Sequence, residues 1–223
     1  MIQQATLNFL TALAANNNKP WFDANRKPYE AAKQDYAQLV AQLITAIGKY
    51  DAPIADLEVK QCTFRVNRDV RFSKDKSPYK TNLGASFNIG GKKLQRAGYY
   101  LHVQPNQSFV AGGIYMPDAT MLASIRQEID YNYAAFTKIV NNKKFKSTYN
   151  TLSREAGLVL ARPPKGYEAT NEAIEYLKLK SFTATYAIPN ELLLSKQCVA
   201  HIANHFATIQ PLVAFINQAV EPE

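Results

Sequence analysis

Gly98-Tyr99-Tyr100-Leu101-His102-Val103-Gln104-Pro105-Asn106-Gln107-Ser108-Phe109-Val110-Ala111-Gly112-Gly113-Ile114-Tyr115 is the stretch whose reading decides the fold. Two runs rich in aromatic and β-branched residues flank Pro105-Asn106-Gln107, three residues suited to a tight connection. The spacing predicts strands over 97–104 and 108–115, paired as antiparallel neighbours. A period of two places Tyr100 and His102 on one face of the first strand.

Upstream, Gly90-Gly91-Lys92-Lys93 reads as a second tight connection, to a strand over 84–89, and a further strand is expected over 59–72. Before the sheet, Leu7, Leu10 and Leu13 recur at helical spacing until Asn16-Asn17-Asn18 stops them. Pro20 then opens a second helix carrying Trp21, Phe22, Tyr29, Tyr36, Leu39, Leu43 and Ile47, with Gly48 as its stop. Downstream, Pro117 opens a third long helix through Ile139, followed by a shorter one around 145–152. Arg162-Pro163-Pro164-Lys165-Gly166-Tyr167 is a loop. A short helix over 171–178, a strand over 181–188 and a final helix over 195–219 complete the chain. The expected fold is α+β and a single domain over 1–223, with helices over 1–50, a sheet over 59–115 and helices and loops over 117–223. Its sheet is an antiparallel meander of four or five strands packed with the N-terminal and C-terminal helices.

The first eighteen residues have no basic start and no long apolar run, and no transmembrane stretch stands out. Two distant cysteines, Cys62 and Cys198, fit reduced thiols better than a disulfide framework. The expectation is a cytoplasmic protein with no membrane partner. The net charge of +8 is unevenly placed. Between Lys60 and Arg96 stand ten basic residues against only Asp69 and Asp75, while the rest of the chain balances 16 basic with 16 acidic residues. A field confined to one segment points to a negatively charged partner.

Within that segment, Phe64-Arg65-Val66-Asn67-Arg68-Asp69-Val70-Arg71-Phe72 alternates as a strand would, with Arg68 out of phase. A bulge would re-aim Arg68; otherwise it needs a buried partner. A loop dense in donors follows, from Ser73 to Asn82, stiffened by Pro78. Guanidinium groups grip phosphate or carboxylate in pairs and lysines add point charge, so Arg65, Arg68, Arg71, Lys76 and Lys80 read as an anion clamp. Asp69 would orient the arginines or act as a base. A charged, protected edge strand accounts for the same residues without any ligand.

Arg65-x-x-Arg68-Asp69-x-Arg71-Phe72, continuing through Asp75-Lys76-x-x-Tyr79, resembles the signature of a family known as domain of unknown function 2461. The resemblance extends to Asn17, Trp21-Phe22, Gly112-Gly113-x-Tyr115-x-Pro117, Arg126, Pro164-Lys165-Gly166-Tyr167 and Leu177-Lys178-x-Lys180-Ser181-Phe182. It covers nearly the whole chain. It implies kinship with bacterial proteins and with parts of longer fungal ones, and brings no activity with it.

Weaker constellations surround the segment. His102 becomes an acid–base candidate if its face looks into the charged cleft. Arg126 either reaches over the sheet toward the anion site or makes an ordinary surface pair. His201 and His205, four apart, have metal-ligand spacing but no completing carboxylate, and read as polar margins of an apolar helix. Gly112-Gly113 reads as close packing or a bulge, since no phosphate-loop motif is present. No cofactor or metal is expected. The leading functional expectation is binding of, or chemistry on, a phosphorylated or other anionic small molecule. The alternatives are a nucleic-acid-binding module, with Phe72, Tyr79, Tyr99 or Tyr100 stacking on bases, and a purely structural arginine motif.

Overall fold

The computed structural model describes residues 1–220. Its sheet has four strands, β1 (Leu83–Asn88), β2 (Gly98–Val103), β3 (Ser108–Ile114) and β4 (Phe182–Ile188), in the order β1-β2-β3-β4 with every pair antiparallel. The fold is therefore α+β, with a meander at its centre. Asn106 takes φ 63° in the β2–β3 turn, where Gln107 N–H returns to the Gln104 carbonyl at 3.0 Å. An asparagine tolerates that left-handed backbone better than most residues.

The strand expected over 59–72 does not form. Its first residues are a short helix, α4 (Val59–Cys62), closed by a capping box between Glu58 and Gln61. Thr63 then bridges Ala85, Phe64 N–H bonds the Gly84 carbonyl, and the chain leaves the sheet edge. Beyond that point the segment pairs with itself. Asn67 bridges Tyr79, Arg68 N–H reaches the Pro78 carbonyl at 2.9 Å, and Lys80 N–H reaches the Val66 carbonyl at 2.8 Å. The apolar alternation has no second layer to bury it: of Phe64, Val66, Val70 and Phe72 only Val66 is buried, and Phe72 is 96% exposed.

Helices cover one sheet face. α3 (Arg26–Ile47) and α10 (Cys198–Val220) lie on the face presented by Phe87, Tyr99, Leu101, Val110 and Ala184, and α1 (Gln4–Ala15) packs on α3. α10 is long and apolar enough by composition to cross a membrane. Here Ile202, Phe206, Ile209, Leu212 and Ile216 are spent on the sheet and its neighbouring helices. Gly112 lets α10 approach, since a Cβ there would stand 2.4 Å from Ile209 Cγ2. Gly113 takes φ 113°, and a Cβ would meet the Phe182 carbonyl oxygen at 1.9 Å. The glycine pair is thus a packing device.

Two expected helices are each split by an asparagine. α2 (Lys19–Ala24), capped by Asn18 accepting from Trp21 N–H at 3.0 Å, is separated from α3 at Asn25. α5 (Ala119–Tyr131), capped by Asp118, is separated from α6 (Tyr133–Val140) at Asn132. Asparagine competes with the helical backbone by local hydrogen bonding, and Asn25 Nδ2 bonds the Trp21 carbonyl at 2.9 Å. α7 (Lys143–Tyr149), α8 (Ile174–Leu177) and α9 (Asn190–Leu193) are short connectors. Together these elements leave the second face of the sheet without a helix.

Candidate functional site

The uncovered face forms an open groove of roughly 1180 Å³. Its floor follows from the register. Ser86, Tyr100, Ala111 and Thr185 stand in one row across all four strands, with Asn88, Gly98, Gly113 and Thr183 in the row toward one end. Small side chains there leave the space. Phe64, Tyr100, Phe109 and Tyr115 form aromatic walls, and Lys92, Lys93 and Arg96 gather at the β1–β2 connection. Among the described residues Glu155 is the one acidic residue on the lining. Lys92 Nζ is held by the Thr63 carbonyl at 2.5 Å and Arg96 Nη1 by the Val220 carbonyl at 2.7 Å, so both cations are positioned without a carboxylate partner among the described residues.

The arginine segment adjoins this groove only at its base. Lys80 Nζ stands 5.4 Å from the Phe64 ring centroid, and Phe64 meets Tyr100 edge-on at 6.3 Å. Burial lowers the Lys80 pKa, and the nearby Arg65 guanidinium lowers it further. Arg65 is exposed and has no side-chain hydrogen bond among the described residues. Arg65 and Lys80 are therefore brought together at the groove's edge.

The other clamp candidates are engaged inside the excursion. Arg71 grips Asp69 through Nε at 2.9 Å and Nη2 at 2.6 Å. Arg68, half-buried, pairs with Asp75, and Lys76 Nζ donates to the Val70 carbonyl at 3.0 Å. The Arg71 guanidinium holds the Asp69 carboxyl below its ordinary range. Asp75 is held lower still, first by the Ser77 hydroxyl and N–H and then by Arg68. The base of the excursion is clamped to α2. Asn17 bonds both Tyr79 N–H and the Tyr79 carbonyl, at 3.1 and 2.9 Å, and the Tyr79 ring stacks on Phe22 at 4.0 Å. Three cations, two carboxylates and an aromatic root thus give the segment a fold of its own.

His102 lies on the open face but behind its aromatic wall. Its ring stacks on Phe109 at 4.7 Å and 12°. The Gln104 amide nitrogen donates to Gln107, which turns its oxygen to His102 Nε2 at 3.0 Å. Nε2 therefore carries the proton, and Nδ1 accepts from Tyr100 Oη at 3.3 Å and Asn82 Nδ2 at 3.4 Å. Burial lowers the pKa of the ring, against the Gln104 hydrogen bond. Of the aromatics considered as base-stacking platforms, Tyr79 and Tyr99 are buried, Tyr99 donating to Asp51 at 2.7 Å. Phe72 is 96% exposed on the excursion, and of the four Tyr100 alone turns its side chain to the open face of the sheet, Tyr99 pointing to the covered one.

Arg126 is elsewhere. It sits on α5, which packs on α6, α8 and α10, and bonds the Leu179 carbonyl at 3.2 Å, just before β4. The arginine segment adjoins β1. The two edges of a four-stranded sheet are about 14 Å apart, so Arg126 does not join the other arginines. His201 and His205 form a pair on α10 with Nε2 atoms 2.8 Å apart, and His205 stacks on Tyr186 at 3.9 Å. Among the described residues no group of three His, Cys, Asp or Glu side chains could hold a metal ion. Cys62 and Cys198 are free and buried.

Sequence reasoning missed the groove floor. Its residues come from all four strands, and the one signal is that Ala111, Gly113, Thr183, Thr185 and Ala187, at alternate positions of β3 and β4, are small and share a face. No curated protein matches the chain, and no solved structure does. The conserved hypothetical protein family DUF2461 matches residues 5–215, and the chain belongs to that family.

Proposed function

We propose that the protein binds an anionic ligand with a flat apolar part, seated on the open face of the sheet. One observation carries this reading. Lys92, Lys93 and Arg96 line an aromatic, small-floored groove, with Lys80 and Arg65 beside its Phe64 wall, none of the five in an ion pair among the described residues, against Glu155 as the one acidic lining residue described. Cations held by carbonyls keep their field, and a groove with low-dielectric walls focuses it. The rings supply stacking area, worth about 1–3 kcal/mol per base-sized partner.

Calorimetric titration with adenosine monophosphate and with inorganic phosphate tests the reading. The nucleotide is expected to bind at least about tenfold more tightly than phosphate, from the lower part of that stacking range. Tyr100→Ala should erase the difference, and Lys93→Gln with Arg96→Gln should weaken both. Absence of binding by either probe at low salt would sink the proposal.

A second reading has its own observation in Tyr100 and Phe109, which stand on adjacent central strands of the same face. Rings so placed suit successive bases of a single strand. Affinity for an oligothymidylate against salt separates the two. A slope of several phosphates in log K against log salt supports the strand, and a slope near one supports the small molecule.

A further inference from the structure

Among the described residues, two buried polar side-chain atoms have no hydrogen-bond partner, and one of them is Arg126 Nε. The same guanidinium donates from Nη2 to the Leu179 carbonyl at 3.2 Å and enters no ion pair. A half-buried cation normally has a carboxylate, because removing charge from water is costly without one. The nearest candidate on its own helix is Asp130, one turn further along. Asp130 Oδ1 instead accepts from Asn171 Nδ2 at 2.6 Å, which holds it away. Neighbouring lysines are engaged as well: Lys178 with Glu175 at 3.0 Å, and Lys180 with the Gly157 carbonyl at 2.9 Å.

Tyr167, half-buried, is close enough to Arg126 for each to perturb the other's ionisation. It closes the Pro164-Lys165-Gly166-Tyr167 turn, in which Tyr167 N–H returns to the Pro164 carbonyl at 3.2 Å. Burial lowers the Arg126 pKa, the direction in which an uncompensated charge moves. The guanidinium is not sealed off, since Nη1 has no partner and is not among the enclosed atoms.

We propose that Arg126, with Tyr167 beside it, is a binding site for a single oxyanion group, distinct from the open face of the sheet. A guanidinium presents five N–H donors in a rigid fork matched to phosphate and carboxylate oxygens. Here the chain uses one donor on a carbonyl and leaves the rest without a counter-charge. The site lies at the β4 edge, between α5, the 164–167 turn and the chain entering β4. It takes the anionic end of a ligand, with Tyr167 on one side.

The test is a crossed titration. Wild-type protein and Arg126→Met, which keeps the apolar stem and removes the charge, are melted in chloride buffer and in rising inorganic phosphate, with acetate as the planar arm. In chloride, Arg126→Met should match or exceed the wild type. In phosphate or acetate the wild-type melting temperature should rise with saturation, by about 3–6 °C at tenfold excess over the Kd of this site, and Arg126→Met should keep only the part of the rise that the groove contributes. The protected Arg126 Nε–H resonance should shift along the same curve, and Tyr167→Phe should weaken the midpoint severalfold. Whichever anion saturates at the lower concentration names the geometry the site prefers. Lys93→Gln with Arg96→Gln weakens the groove's part of the rise, and adding Arg126→Met to that protein should abolish what is left, so the site stands or falls apart from the groove. The proposal is overturned if the Nε–H resonance stays fixed in both anions, or if the rise seen in the Lys93→Gln, Arg96→Gln protein persists when Arg126→Met is added. It is equally overturned if that variant is several degrees less stable in chloride, which would make Arg126 a brace for Leu179.

Discussion

Gly112→Ala should lower stability although the change is one methyl group in a strand. The new Cβ would stand 2.4 Å from Ile209 Cγ2 and 3.0 Å from Ile209 Cδ1, where about 3.5–4.0 Å is comfortable. Cγ2 is fixed to a β-branched centre and cannot swing aside, so α10 must lift or Ile209 must leave its rotamer. Lifting α10 also opens the contacts of Phe206 and Leu212, its fully buried neighbours. Overpacking of this kind costs about 1–3 kcal/mol, and lost freedom of the unfolded glycine returns about 0.4–1. The net is about 1–2 kcal/mol, or roughly 3–6 °C in melting temperature for a chain of this size. Chemical denaturation of Gly112→Ala, Ile209→Ala and the double variant measures it. Ile209→Ala alone should cost about 2–5 kcal/mol, and the double variant should cost at least about 1 kcal/mol less than the sum, because the added methyl fills the vacated space. Unchanged stability in Gly112→Ala, or strict additivity, would refute the close approach of α10.

Three further outcomes follow from the contacts already given. Arg68→Ala should cost under about 1 kcal/mol in global stability by thermal melting, because its partner Asp75 is 59% exposed. Its effect should appear instead as faster amide exchange at Lys80, whose N–H bonds the Val66 carbonyl inside the excursion. Tyr99→Phe removes a hydroxyl that donates to the Asp51 carboxylate at 2.7 Å, and should cost about 1.5–3 kcal/mol in denaturant titrations. Burial, then His201 and Lys144, push the His205 imidazole down to about 4, and its ring also faces Tyr149 and Tyr186. A depressed folded pKa contributes stability present above the unfolded value of about 6.5 and lost as pH falls toward 4. His205→Gln should flatten that part of the melting curve against pH, and an unchanged slope would contradict the assignment.

Legibility followed the range of the interaction. β2, β3 and their turn were readable because the alternation and Pro105-Asn106-Gln107 are local, and the strand expected over 181–188 forms as β4, Phe182–Ile188. Residues 59–72 misled because alternation reports only that apolar groups recur every second position. It is silent on whether a neighbouring strand exists to receive them, and here the chain from Val66 pairs with Lys80 instead. The helix breaks at Asn25 and Asn132 were invisible to a periodicity argument, since the apolar spacing runs through both. The charged segment was found from composition, but which cations are neutralised depends on side-chain geometry inside the excursion. The groove floor and the Arg126 surroundings join residues from distant parts of the chain, and no motif announces either.

The pairing of β3 with β4 sets the order in which this chain can assemble. β1, β2 and β3 are joined by short connections and can pair early, whereas β4 must return to β3 across the helices between Ile114 and Phe182. α10 comes later still, and its last turns tie it by hydrogen bonds to the chain at the start of β2, where Asn217 bonds Ala97 and the Val220 carbonyl receives Arg96. Until then β3 is an unpaired edge and the covered face of the meander is bare. Such a chain spends its synthesis with a sticky three-stranded intermediate, a state prone to edge-to-edge association. Refolding should therefore be slow, limited by a strand pairing whose partners lie 68 to 80 residues apart, and its yield should fall steeply with protein concentration.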